Sequence, residues 1–249
     1  MREILQALAS VGHTLQQRSG LEPAAFVARR LLARGADLKS MDGLELFGGD
    51  GTQTTGKLVP YFRSFETWDI DPEVCARLRA EMPLVRVMAV DSFQQLREEQ
   101  RTFDFVSADT YPWIYGGEHY DNFELFPGVF RILKPTGYLQ LNLTADWNLA
   151  RFADAEAFSP ECRRRRAEFF RCADPARLTV DQMVARYVEV AAESGYHCEW
   201  SFTQDRYPFY ALRRRSKKWR LLFLVMKLVR DGVCFAAVPQ HRETVCAAP

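Results

Sequence analysis

The chain has 249 residues, enough for one large α/β domain or two small ones with a substantial core. Hydrophobic residues at 47% and charged residues at 26% are ordinary globular values. The net charge of +1 excludes a global field pulling the protein toward nucleic acid or membranes.

The six cysteines, Cys75, Cys162, Cys172, Cys198, Cys234 and Cys246, form no C-x-x-C pair and are scattered along the chain. That argues against a zinc site and against a disulfide framework, and no metal is expected. The start, Met1-Arg2-Glu3-Ile4, carries no apolar run of signal-peptide length. The longest apolar run, Leu221–Met226, is far too short to span a bilayer. The expectation is a soluble, cytoplasmic protein. Cys246-Ala247-Ala248-Pro249 has the outline of a prenylation box, but proline is not a usual final residue and no basic cluster flanks it.

Residues 1–40 read as helices. Ile4, Leu5, Leu8, Val11 and Leu15 recur at helical spacing, and Gly20 breaks the pattern. Pro23 starts a second helix with Phe26, Val27, Leu31 and Leu32 on one face and Arg29, Arg30 and Arg34 outside it. This pair is a packing element or a lid over a substrate. From residue 44 strand and helix alternate, as a parallel sheet with crossovers requires. Strands are expected at Leu44–Phe47, Phe65–Asp69, Val85–Val90, Phe103–Ala108 and Tyr138–Leu143. Helices are expected at Thr55–Tyr61, from Pro72 to Met82, through Phe93, Leu96 and Arg97, and at Tyr120–Leu133, with a turn at Lys134–Gly137. Residues 145–178 are less regular and read as an insertion containing Asp146, Trp147 and the run Arg163–Arg166. A helix at Val180–Glu193 ends at Gly195, and His197–Phe202 alternates like a strand. A basic run, Arg213–Arg220, leads into an apolar helical stretch to Val229, and Val233–Val238 reads as a last strand. The expected architecture is α/β: a Rossmann-like, seven-stranded, mostly parallel sheet between helices in one domain. Residues 1–40 form a helical cap, 42–145 the cofactor-binding core, and 146–249 the insertion with the last helices and strands.

Ligands of open α/β sheets sit beyond the carboxyl ends of the strands. Those ends carry Gly48–Gly51, Asp69, Asp91 and Asp109. Glycine there allows positive φ and close backbone approach. Asp69 lies about 20 residues past the turn, the offset of an acid that accepts both hydroxyl protons of a ribose diol. A dinucleotide fingerprint needs a third glycine where Thr54 stands. Glu45 and Asp50 would repel a pyrophosphate but complement a cationic ligand, and Asp91 suits the exocyclic amine of adenine.

These residues resemble the motifs of class I S-adenosylmethionine-dependent methyltransferases over roughly residues 42–145. Glu45-Leu46-Phe47-Gly48-Gly49-Asp50-Gly51 is similar to the family's acid-x-Gly-x-Gly-x-Gly motif, with Phe47 in place of the first glycine, as in the Phe-x-Gly-x-Gly form of DNA methyltransferases. Asp69-Ile70-Asp71-Pro72-Glu73 matches the second motif, Asp91-Ser92-Phe93 the adenine-binding segment, and Phe103-Asp104-Phe105 through Asp109 the fourth motif. Leu133–Gly137 matches the turn before the fifth strand. The resemblance implies S-adenosyl-L-methionine as cofactor and S-adenosyl-L-homocysteine as product. It implies that Gly49 and Gly51 pass close to the cofactor, that Glu45 orients the loop and the methionine end, and that Asp69 binds the ribose. Asp71 is the alternative there, as a helix N-cap.

Methyl transfer is an in-line displacement in which alignment and exclusion of water dominate. The segment Asp109–Tyr120 would lie beside the methyl group. Asp109 is the candidate for contact with the methionine ammonium or an amine substrate, and Glu118 and His119 are candidate bases. Tyr111, Trp113 and Tyr115 are candidates for the wall of a substrate pocket, or else anchors of a packed loop. Near-zero net charge favours a small-molecule acceptor with an N or O nucleophile. A nucleic-acid amine methyltransferase is the second reading, since Asp109-Thr110-Tyr111-Pro112-Trp113 faintly resembles Asp-Pro-Pro-Tyr and the two basic runs could meet phosphates. Non-methylating use of the same cofactor or its decarboxylated form, by aminopropyl transfer or intramolecular cyclisation, is the third. A catalytically idle partner-binding subunit is a further possibility.

Overall fold

The computed structural model describes residues 23–51, 54–109, 122–145, 159–206 and 220–232. Short apolar segments bounded by acids, prolines and glycines become strands. They are β1 (Asp42–Glu45), β2 (Ser64–Asp69), β3 (Val85–Ala89), β4 (Phe103–Ala108), β5 (Leu133–Ala145), β6 (Tyr196–Asp205) and β7 (Arg220–Arg230). They form a seven-stranded sheet in the order β3-β2-β1-β4-β5-β7-β6. β1 to β5 pair in parallel, and β7 runs antiparallel between β5 and β6. The chain order reverses between β1 and β4, the switch point at which such sheets open a ligand crevice.

The helices are α1 (Pro23–Ala33), α2 (Thr55–Leu58), α3 (Pro72–Glu81), α4 (Ser92–Glu98), α5 (Gly128–Arg131), α6 (Pro160–Phe170) and α7 (Val180–Glu193). Their starts follow from local chemistry. Asp71 caps α3 by accepting from the N–H groups of Glu73 and Val74, with Pro72 opening the helix. Thr179 and Gln182 form a capping box at the start of α7.

Two apolar layers hold the sheet. Leu44, Leu46, Trp68, Val106, Leu139, Leu141 and Leu224 pack with Met183 and Tyr187 of α7 on one face. Phe65, Phe105, Tyr138, Phe223 and Val225 pack with Val27 and Leu31 of α1 on the other. Along this second face, β2, β4 and β5 step from Phe65, Phe105 and Tyr138 to Thr67, Ser107 and Gln140, since alternate residues share a face. Register joins Thr67, Glu45, Ser107 and Gln140 into one row, and all four are buried. The α1 face therefore changes from aromatic to polar as it approaches the carboxyl ends of the strands.

Several expectations are corrected. The stretch to Val229 is strand β7, not helix. Every residue from Leu221 to Met226 is buried, because β5 and β6 flank the strand and apolar layers cover both faces. A short apolar run has no periodicity that separates a buried strand from a buried helix. Of the helix expected over Tyr120–Leu133, residues 120 and 121 lie outside the described residues, a 3-10 turn covers 122–125, and α5 begins only after Pro127, which lacks a donor. The turn expected at Lys134–Gly137 lies inside β5, where β5 advances from Leu133 to Tyr138 while β4 advances from Phe103 to Phe105. The stretch expected to be irregular contains α6, capped by the Ser159 hydroxyl. Leu32 of α1 is 43% exposed rather than on the buried face. Arg30 and Arg34 lie over the rings of Phe202 and Trp200, at 4.0 and 5.0 Å, and so pin α1 to β6. The helix before Gly20 and the strand at Val233–Val238 lie outside the described residues.

Candidate functional site

Leaving β1, the chain enters the turn Phe47-Gly48-Gly49-Asp50-Gly51, and its three glycines answer three different needs. A Cβ on Gly48 would stand 2.2 Å from Thr67 Oγ1. Gly51 has φ +72°, and its Cβ would meet Met82 and Leu78 of the α3 region at 2.4 and 2.5 Å. Gly49 has φ +51°, and among the described residues no atom outside its chain neighbours lies within 4 Å of its Cβ position. Gly48 and Gly51 are thus glycines of packing, and Gly49 presents bare backbone to space that no described residue fills.

Asp69, from the neighbouring strand, ties this turn down. Asp69, at the end of β2, accepts from the Gly49 N–H at 2.8 Å and from the Asp71 N–H at 2.9 Å, one on each oxygen. Asp91 follows β3 and caps α4, accepting from the Phe93 N–H at 2.8 Å. The buried Ser92 hydroxyl donates to the Leu46 carbonyl. The half-buried rings of Phe47 and Phe93 lie 5.7 Å apart. Ile70, which follows Asp69, has 59% of its surface exposed.

Below the turn is a buried charged cluster. Glu45 accepts from the Thr55 hydroxyl. Asp109, whose side chain is 1% exposed, accepts from the Thr54 hydroxyl, from Asn142 Nδ2 at 2.8 Å and from the Arg206 guanidinium. Burial pushes the Glu45 carboxyl well above the usual range. The neighbouring charge of Asp109 adds to that rise, and the Thr55 hydrogen bond and Arg206 oppose it.

The structure thus brings together Glu45, Phe47, Gly48, Gly49, Gly51, Asp69, Ile70, Asp91, Ser92, Phe93 and Asp109. Tyr111, Trp113, Tyr115, Glu118 and His119 lie outside the described residues. Sequence reasoning missed Thr54 and Thr55 as donors to the acids, Asn142, and Arg206. Asn142 did leave a trace, one of two amides, with Gln140, that alternate with Leu139, Leu141 and Leu143. Asp109, expected to meet a ligand directly, is already held by three protein side chains.

Arginines of the basic run in α6 have protein partners. Arg164 pairs with Glu161 and Glu168, and Arg165 with Glu124. Arg166 is 2% exposed and donates to the Thr144 carbonyl at 2.6 Å. Of the second run, residues 213–219 lie outside the described residues, and Arg220 makes two bonds to Asp205 at 2.6 and 2.8 Å. Among the described residues no helix is long and apolar enough to cross a membrane.

No protein-family model matches the chain, and no curated protein matches its sequence. Solved structures do match. A proposed sarcosine dimethylglycine methyltransferase from Galdieria sulphuraria aligns with a TM-score of 0.54 at 15% identity, over 85% of this chain and 87% of that one. TYW2 from M. jannaschii, solved with AdoMet, aligns with a TM-score of 0.50 at 12% identity, over 84% and 77%. YjhP from E. coli aligns with a TM-score of 0.50 at 14% identity, over 84% and 92%. The polypeptide has the Rossmann-like fold of the class I S-adenosylmethionine-dependent methyltransferases.

Proposed function

We propose that this chain is an S-adenosyl-L-methionine-dependent methyltransferase that acts on an N or O nucleophile of a small molecule and releases S-adenosyl-L-homocysteine. The observation that carries the reading is the junction of Gly49 and Asp69. Bare backbone at Gly49 faces space that no described residue fills, and the carboxylate latched to its N–H has spare capacity. A carboxylate has about four lone-pair sites, and Asp69 spends two on backbone N–H groups, so a ribose diol can still be accepted. Asp91 would take the adenine amine beside the Phe47–Phe93 pair, an apolar flank for a flat base. Glu45, Asp109 and Arg206 would underlie the methionine end.

When bound, the cofactor supplies an electrophilic methyl group on a sulfonium. The residues of this chain do the rest by alignment and exclusion of water. The latches between β1, β2 and α4 hold the turn rigid, so the reacting end is fixed against β4. Glu118 and His119 are the proposed bases for an acceptor that carries a proton, and Tyr111, Trp113 and Tyr115 the proposed acceptor wall. A nucleic-acid acceptor loses support because the arginines Arg164, Arg165 and Arg166 are tied to protein partners.

Incubation with methyl-labelled S-adenosylmethionine and a panel of small amines and hydroxy compounds tests this. Label in the acceptor with adenosylhomocysteine as by-product is expected. Methylthioadenosine as by-product would contradict methyl transfer and indicate transfer or cyclisation of the 3-amino-3-carboxypropyl arm.

A further inference from the structure

Arg206 follows β6 and Asp109 follows β4, yet their side chains form a buried ion pair across β5 and β7. The pair is built in. The guanidinium lies 5.4 Å from the ring of Phe223 on β7, and Phe223 is the register partner of Asn142 on β5. Asn142 in turn donates to the same Asp109 oxygen as Arg206. Arg206 is 7% exposed, and a buried cation is retained only against a partner.

This has a consequence for a ligand whose charge changes during the reaction. S-adenosylmethionine carries a sulfonium cation, whereas adenosylhomocysteine is a neutral thioether. A lone Asp109 would favour the cation and a lone Arg206 would disfavour it. We propose that Arg206 is a positioning residue that cancels the field of Asp109, so that the site holds the sulfonium cofactor and its thioether product with similar affinity and does not depend on a bare carboxylate. The inference rests on the cofactor reading above.

The test is the ratio of the two dissociation constants, measured by calorimetry on the full chain. A ratio taken on one preparation is independent of its folded fraction. Arg206→Met should shift the ratio about ten-fold toward S-adenosylmethionine, and Asp109→Asn about ten-fold toward adenosylhomocysteine. The double variant should return near the wild-type ratio, and Arg206→Lys should keep it. A merely structural pair would weaken both ligands equally, and an unmoved ratio in both single variants would overturn the inference. Wild-type protein that binds neither ligand would instead overturn the cofactor reading itself, and this inference with it.

Discussion

Gly48 has no room for a side chain, because Thr67 Oγ1 occupies the place of its Cβ. Thr67 is buried on a rigid β-branched stem, so it cannot swing aside. Gly48→Ala should therefore cost about 1–3 kcal/mol by overpacking. Thr67 Oγ1 has no hydrogen-bond partner among the described residues, so Thr67→Ala strands no donor. The double variant, followed by urea denaturation, should cost clearly less than the sum of the two single changes. Strict additivity would contradict the close contact. Glu45 supplies a second residue-scale expectation. Its carboxyl is raised in the fold by burial and by Asp109, so the folded state holds a proton that the unfolded state releases earlier. The sign follows from linkage: the contribution is fully present below the ordinary value of 4.5 and is lost as pH rises toward the folded value. Glu45→Gln keeps an acceptor for Thr55 and removes this loss. Thermal melts should show the variant gaining on the wild type as pH increases above about 4.5. A constant difference in melting temperature across pH would contradict a raised Glu45.

At the scale of elements, β2 and the approach to β4 are joined by Arg101. It donates to Glu66 at 2.7 and 2.9 Å and to Glu99 at 2.6 and 3.0 Å, and both carboxylates are buried. The hydrogen bonds from Arg101 hold the Glu99 carboxyl down at about 2, against the opposing effect of burial. Arg101→Leu should cost about 1–3 kcal/mol at neutral pH, the scale for leaving buried charged acceptors unmatched. A depressed carboxyl stabilises above its ordinary value of 4.5, and that share is lost as pH falls through about 2. The gap between variant and wild type in chemical denaturation should therefore close over that window, and a gap that persists at its acid end would contradict the assignment.

The elements also show what a sequence reveals and where it stops. Phe103–Ala108 and Val180–Glu193 are legible residue for residue, because an aromatic run between loop residues and a capped, amphipathic stretch each have a local cause. The strand-end residues Gly49, Asp69, Asp91 and Asp109 were legible for a similar reason, since each ends a recognisable strand or opens the turn or helix that follows. β7 was not legible, because its strand character comes from β5 and β6 on either side rather than from its own pattern. The pairing of Arg206 with Asp109 joins residues 97 apart, and only the sheet order brings them together. The shortness of α5 had a readable cause in Pro127, which the apolar spacing around it obscured.

Across the whole molecule, polarity is sorted along the strands. On the α1 face, aromatic packing gives way to the row Thr67, Glu45, Ser107 and Gln140, and then to Asp109, Asn142 and Arg206. That gradient puts the buried charges of the carboxyl ends on a packed base and keeps the turn at Gly49 open above them. On α6, Arg164, Arg165 and Arg166 are tied to protein partners. In the proposed function, the carboxyl ends of β1 to β4 hold S-adenosylmethionine through Asp69. Calorimetric titration of the full chain and of Asp69→Ala tests it most directly. Saturable binding by the wild type is expected, weakened in the variant by about 1–3 kcal/mol, the worth of hydrogen bonds to a charged acceptor. Wild-type protein that binds neither S-adenosylmethionine nor adenosylhomocysteine, or a variant of unchanged affinity, would contradict it.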